Sequence, residues 1–215
     1  MKIVFFSIKG GVGKTSISLS MALTYKYNFV TNDIVTSLEG IHSIKASKIA
    51  SSLKKIPRPI LGSSKNQIFD IGAMSGQIDP KAAHAISLAD AVVIPTLCDT
   101  RSVEATIQSI KFVKEACHNI FVIVNKVKDE KEYESIVEHL SPYVDEEFIY
   151  QMRETTLFKR IAEHGENFFT KIFKKEGINR LHLTIDRHTD IFDSILDYTQ
   201  SIVNVKGKWC KVYKR

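Results

Sequence analysis

The 215-residue sequence holds only three cysteines and one tryptophan, and no apolar run approaches the roughly 20 residues that a membrane-spanning helix requires. Cys98, Cys117 and Cys210 lie far apart, without the paired spacing of a zinc site or a disulfide framework, so they read as reduced thiols. The chain begins on an apolar strand pattern and lacks the basic region, apolar stretch and cleavage site of a secretory leader, so a cytoplasmic location is expected. Internal repeats and low-complexity segments are missing too. Acids are scarce at the start: residues 1–65 carry ten Lys and Arg against two acids, residues 66–165 ten against sixteen, and residues 166–215 ten against six. The net charge of +6 is therefore spread as +8, −6 and +4. Such asymmetry suits a polyanion met by one face, or solubility alone.

What is present is ordinary for a soluble globular domain: 44% hydrophobic and 25% charged residues, in a chain long enough to bury a real core. One domain is expected. Apolar runs at 2–8, 28–33, 67–71, 91–95 and 119–125 read as buried strands, and 14–26, 79–88, 101–117 and 129–140 between them as helices. Segment 101–117 has the clearest helical period, in Val103, Ile107, Ile110 and Val113. Alternation of strand and helix predicts an α/β fold, a mostly parallel central sheet with helices on both faces. A further helix is expected at 43–56. Residues 166–215 read as a helical extension, with helices near 166–176 and 188–204 around the alternating stretch Leu181–Ile185, ending in an exposed basic tail at 206–215.

Residues 9–16 read Lys-Gly-Gly-Val-Gly-Lys-Thr-Ser, directly between the first strand and the first helix. A glycine-rich turn in that place leaves backbone N–H groups pointing into one concavity, where phosphate oxygens accept them. Gly10, Gly11 and Gly13 supply the backbone freedom, and Val12 lies between them. Lys14 is placed to neutralise the β and γ phosphates, Thr15 to offer its hydroxyl to Mg²⁺, and Ser16 with the first helical turn to hold the α phosphate.

The first glycine of the general G-x-x-x-x-G-K-[ST] pattern is replaced by Ile8, and a lysine, Lys9, stands at the loop entrance. The run KGGVGKTS resembles the deviant Walker A motif of the ParA/MinD family of P-loop ATPases. The resemblance extends to QIFDIG at 67–72, similar to the Walker B strand, to LADAVVIPT at 88–96, to FVIVNKV at 121–127 and to RETTLFKRIAEHG at 153–165. It covers roughly residues 1–165. It implies ATP and Mg²⁺ as ligands, and a homodimer sandwiching two ATP molecules with Lys9 reaching the partner's nucleotide. It also implies a catalytic part for Lys9 and Lys14, a metal-linked carboxylate at Asp70, and Asn125 beside the adenine.

Asn125-Lys126-Val127-Lys128 invites comparison with the N-K-x-D of GTPases, but lysine at 128 cannot accept the guanine donors and Asp129 is one residue too far. ATP is therefore expected over GTP. After the second strand the resembled family carries two acidic residues one apart, the second positioning the attacking water. With Asp33 as the first, linked to catalysis and metal, the second falls on Val35, which cannot hold water. Asp33 does both jobs, another residue moves in on dimerisation, or hydrolysis is very slow; a weak ATPase is the expectation.

Lys45, Lys48, Lys54, Lys55, Arg58 and Lys65 occur with no acid between 45 and 65, and Lys206, Lys208, Lys211, Lys214 and Arg215 are interleaved with Trp209 and Tyr213. Both sets suit non-specific phosphate contact, or simply a solvated face and an exposed tail. Three functions stay open. The first is a plasmid or chromosome partition ATPase, nucleoid-associated, whose ATP dimer binds DNA without sequence preference and is released by a centromere-binding partner protein that stimulates hydrolysis. The second is a MinD-like membrane-positioning switch, for which KGKWCKVYKR offers few apolar residues at helical spacing. A metabolic ligase or reductase on the same fold is the third, with Cys98 and Cys117 as a conceivable cluster pair.

Overall fold

The computed structural model describes residues 1–33, 38–62, 66–72, 78–155, 166 and 179–212, the side chains of 179–185 and 205–212 excepted. Along the first strand, β1 (Lys2–Ser7), Ile3 and Phe5 enter one core cluster while Val4 and Phe6 enter another, as period-two alternation requires of a strand buried on both faces. β1 lies at the centre of a seven-stranded sheet of order β3-β2-β4-β1-β5-β6-β7, every pairing parallel. The other strands are β2 (Asn28–Thr31), β3 (Ala46–Lys48), β4 (Gln67–Gly72), β5 (Ala91–Thr96), β6 (Ile120–Val127) and β7 (Ile149–Arg153).

Helices are α1 (Lys14–Tyr25), a short α2 (Arg58–Leu61), α3 (Pro80–Ser87), α4 (Thr100–Lys114), α5 (Glu130–Leu140) and α6 (Asn179–Val212). Residues of α1 and α6 belong to the first cluster, and those of α3, α4 and α5 to the second, so helices cover both faces. This is the expected single α/β domain. Three helices start on an aspartate that accepts a backbone N–H of their first turn: Asp79, Asp99 and Asp129. Because the strand order reverses at β1, with β4 on one side and β5 on the other, a crevice opens at the carboxyl ends of these three strands, where ligands of such sheets bind.

Segment 43–56 is not a helix. Residues 46–48 form the edge strand β3, with Ala46 opposite Phe29 and Lys48 opposite Thr31, and turns follow. Buried Ile44 and Ile49 enter opposite core clusters, which suits their odd separation in an extended chain, and Pro57 and Pro59 prevent the segment from continuing as one helix. The end of the chain also differs from expectation. Residues 181–185 and the start of the basic tail are helical, part of one 34-residue α6 running to Val212. Of the helix expected at 166–176 only Glu166 is described, and it is helical; Val35 and Lys65 lie outside the described residues.

α6 docks through buried Phe192, Ile195, Leu196 and Thr199, through Tyr198 edge-on against Phe121 and Phe148, and through a Tyr25 hydroxyl that donates to Asp193 Oδ1 at 2.7 Å. His188 is also buried here, and burial first, then the Arg187 charge, holds its pKa at about 4. An unfolded histidine titrates near 6.5, so the stability contributed by neutral His188 is complete above that pH and is lost as pH falls towards about 4. Urea midpoints should drop between pH 7 and pH 4.5, by up to about 3 kcal/mol of stability. His188→Leu should flatten this slope; an unchanged slope would remove His188 as its source.

Candidate nucleotide-binding site

The turn between β1 and α1 is shaped by positive φ at Gly11 (77°) and Gly13 (90°), a region that strains side-chain-bearing residues. Gly13 is the N-cap of α1, and no side chain caps that helix. Its first N–H groups are thus left for an external acceptor, at the positive end of the helix dipole. The turn is anchored from both flanks: Ile8 N donates to Ser109 Oγ and Lys9 N to Ser7 Oγ, each at 3.2 Å, and the Asn125 side-chain amide donates to Val12 O at 3.0 Å.

Behind the turn three side chains converge on Asp70, which is fully buried at the end of β4. The Lys14 ammonium pairs with Oδ1, while the Thr15 and Thr31 hydroxyls donate to Oδ2 at 2.8 and 3.0 Å. Thr31 also accepts the backbone N–H of Asp33 at 3.0 Å, which fixes the chain leaving β2 beside the Walker B strand. The donor set fits Mg²⁺: the Thr15 hydroxyl and the Asp70 carboxylate are hard oxygens already in contact. Lys14, Thr15 and Asp70 are thus brought together, with the backbone N–H of Asp33 on Thr31 beside them. Thr31 was not foreseen, since a threonine at a strand end carries no local signal of its own.

Lys9 has a partner within its own chain. Its ammonium contacts Asp99 Oδ1 at 2.8 Å and Oδ2 at 3.1 Å, and donates to Ser102 Oγ at 2.6 Å. Asp99 is half exposed, and its hydrogen bonds from Lys9 and then Ser102 pull its pKa down to about 2. Asp99 is thus ionised throughout the neutral range, and the exposure of the pair leaves the contact easy to exchange.

At the far end of β6 a register irregularity between Asn125 and Val127, with Lys126 at φ 60°, turns the Asn125 side chain inward to the turn. Asp129 is committed to α5, accepting Glu132 N at 2.9 Å, so the carboxylate next to the N-K-x-D position is already engaged as a cap. Cys117 is buried with its thiol directed at backbone carbonyls, and burial followed by Glu132 pushes Cys98 up to about 11. Cys98 is thus a neutral thiol, ill-suited as a cluster ligand. No group of three metal-ligating side chains occurs among the described residues. Lys45, Lys48, Lys54, Lys55 and Arg58 are all exposed along β3 and the turns after it, and Lys206, Lys208 and Lys211 fall on the last turns of α6. No helix among the described residues is long and apolar enough to cross a membrane.

A parallel sheet whose central strand turns through glycines into an uncapped helix, with lysine, threonine and aspartate gathered behind the turn, defines a P-loop nucleotide-binding domain. The chain belongs to the CobQ/CobB/MinD/ParA nucleotide-binding domain family, which it matches over residues 3–168. Among solved structures it is similar to a plasmid partition protein from Borrelia burgdorferi bound to AMPPNP, at 18% identity and TM-score 0.58, covering 81% of this chain and 98% of that one. It is also similar to the cell division ATPase MinD of Pyrococcus furiosus (13% identity, TM-score 0.66, 92% and 98% covered). Apo McdA from Cyanothece is a third (14% identity, TM-score 0.65, 91% and 98% covered). At these identities the likeness is one of fold. No curated protein matches the sequence.

Proposed function

We propose that this chain is a partition-type ATPase: a Mg²⁺-ATP-dependent homodimer that contacts DNA without sequence preference and is released when a partner protein stimulates slow hydrolysis. The convergence of Lys14, Thr15 and Asp70 behind an uncapped glycine turn, with Lys9 at its entrance, carries this reading. In it the backbone of Gly10, Gly11, Val12 and Gly13 and the first turn of α1 through Ser16 cradle the phosphates. Lys14 leaves Asp70 for the phosphate charge, and the residues it leaves behind, Thr15 and Asp70, hold the metal directly or through water. Bound Mg²⁺ supplies further positive charge at the phosphates. Asp33 orients the attacking water, alone or with a group brought by the second subunit. Asn125 lies between the turn and the adenine side. ATP is favoured over GTP because position 128 is lysine and Asp129 is spent as a cap.

Lys9 reaches the partner's nucleotide in the dimer and must first give up Asp99. Lys9→Ala should leave ATP binding by the monomer within about twofold, yet abolish the AMPPNP-dependent dimer in sedimentation velocity. Dimers that survive would remove Lys9 from the interface.

ATP turnover with and without DNA, alongside DNA retardation at low and moderate salt, tests the whole reading. Turnover should be slow alone, and retardation ATP-dependent, indifferent to sequence and steeply salt-dependent. No DNA binding in any nucleotide state would overturn the partition assignment. The continuity of α6 to Val212 gives the membrane alternative specific support, since Ile202, Val205, Trp209 and Val212 fall three or four residues apart along it. ATP-dependent flotation with anionic vesicles is its signature.

A further inference from the structure

Lys81 is a buried ammonium, 2% exposed. A charge so placed is costly unless its protons are all engaged. They are: Lys81 Nζ pairs with Asp79 Oδ2 at 2.9 Å and donates to Ser51 O at 3.3 Å and Leu53 O at 3.0 Å. Those two carbonyls belong to the turns after β3, where Leu53, Lys54 and Lys55 are exposed. One turn further along α3, His84 Nδ1 accepts the N–H of Ile56 at 3.1 Å, a second tether on the same loop.

The other side of the network ends at the nucleotide site. Asp79 Oδ2 accepts a hydrogen bond from Asn32 Nδ2 at 3.2 Å. Burial acts to raise the Asp79 pKa, but bonds from the Lys81 backbone, the Lys81 ammonium and Asn32 outweigh it, so the carboxylate is held ionised. Asn32 clamps the backbone of one residue, accepting from Gly72 N at 3.1 Å and donating to Gly72 O at 3.2 Å. Gly72 closes β4 two residues after Asp70, and a Cβ there would lie 3.5 Å from Lys14 Cε. Asn32 N also donates to Asp70 O at 3.3 Å, so the partner that Lys14 leaves for a phosphate is bonded directly to Asn32, and from there Asp79 and Lys81 lead to loop 50–57.

The structure points to loop 50–57, with Lys54, Lys55 and neighbouring Arg58, as the surface that meets nucleic-acid phosphates in the ATP state, and to Lys81 as the positioning residue that places it under nucleotide control. This rests on the DNA-binding reading above for its partner, but the coupling itself does not. Of the two basic sets, the one after β3 is hydrogen-bonded into the nucleotide end of the sheet.

Hydrogen exchange on the full chain with and without AMPPNP tests the coupling without DNA. In the native protein AMPPNP should change exchange at residues 10–16 and also at 50–56. In Lys81→Gln, and in His84→Leu, which frees the loop without stranding a buried charge, the response at 10–16 should persist and that at 50–56 should be lost. Loop exchange that ignores AMPPNP in the native protein, or responds equally in folded variants, overturns the coupling. DNA retardation with ATP tests the partner: His84→Leu should weaken binding at least about tenfold, and Lys54→Gln/Lys55→Gln should lower the log–log salt slope by about 2. Unchanged affinity and slope overturn the surface. A native chain that binds no DNA overturns the partner, while the exchange result still decides the coupling.

Discussion

Replacing Lys14 with alanine is expected to raise the dissociation constant for ATP at least about 100-fold, the equivalent of the charge-assisted phosphate bonds it supplies. The same substitution also acts on the protein alone. Asp70 is fully buried, and Lys14 is the cation that faces it. Removing one member of a buried pair strands the other, at about 3 kcal/mol, partly offset here because Thr15 and Thr31 still donate to Asp70. A loss of binding could then reflect a loosened fold. Lys14→Ala/Asp70→Asn separates the two effects, since it removes both charges together. Its thermal midpoint should recover most of what Lys14→Ala loses, while calorimetry still detects no ATP binding. Recovery of binding in the double variant would show that Lys14 serves the fold rather than the phosphates.

Much of this site was legible because its chemistry is local. Lys9 to Ser16 are consecutive, and the requirement for a glycine turn between strand and helix is met within that run. Asp70 could be found because it ends an apolar run at a strand's carboxyl end, where the sheet gathers its functional groups. The partners of these residues were a different matter. Asp99 lies 90 positions from Lys9, and Asp79 lies 47 from Asn32; the first contact exists because β5 pairs with β1 and the second because β4 pairs with β2, a choice of strand order that spacing does not reveal. Asp79 and Asp99 carry only the signature of helix caps, and each serves as one while its carboxylate also holds a lysine.

Misreadings of secondary structure have similar causes. Ser43 to Ile56 contains good helix formers, but its lysines and serines face solvent at a sheet edge, and only pairing with β2 decides that 46–48 is extended. Correcting it moves Lys48 onto the edge strand, Lys45 to the residue before it, and Lys54 and Lys55 onto a loop held by α3, so the basic set is two structures rather than one helical face. At the other end, helical spacing in KGKWCKVYKR looks poor when read from Lys206. The apolar period becomes apparent only when α6 is followed from buried Ile195 and from Tyr198, whose ring packs edge-on against Phe121 and Phe148, through Ile202.

Gly13→Ala should be as damaging to ATP binding as loss of Lys14, for a reason that lies in packing rather than charge. At φ 90° an alanine is strained by about 1–2 kcal/mol, and its methyl would drive into the Asn125 side-chain nitrogen. That nitrogen cannot simply retreat, because it donates to Val12 O in a buried site. The expected loss is about 3 kcal/mol of stability with no measurable ATP binding. Asn125→Ala alone removes the hydrogen bond to Val12 and should cost about 1–2 kcal/mol. If the two side chains conflict as the geometry requires, Gly13→Ala/Asn125→Ala will be less damaging than the sum of its parts by at least about 1 kcal/mol, read from urea midpoints. A further readout comes from the nucleotide: in the double variant weak ATP binding should return, because the turn regains room for its own backbone. Strict additivity would mean that the strain at Gly13 is purely torsional, and that Asn125 is free to serve the adenine side without holding the loop.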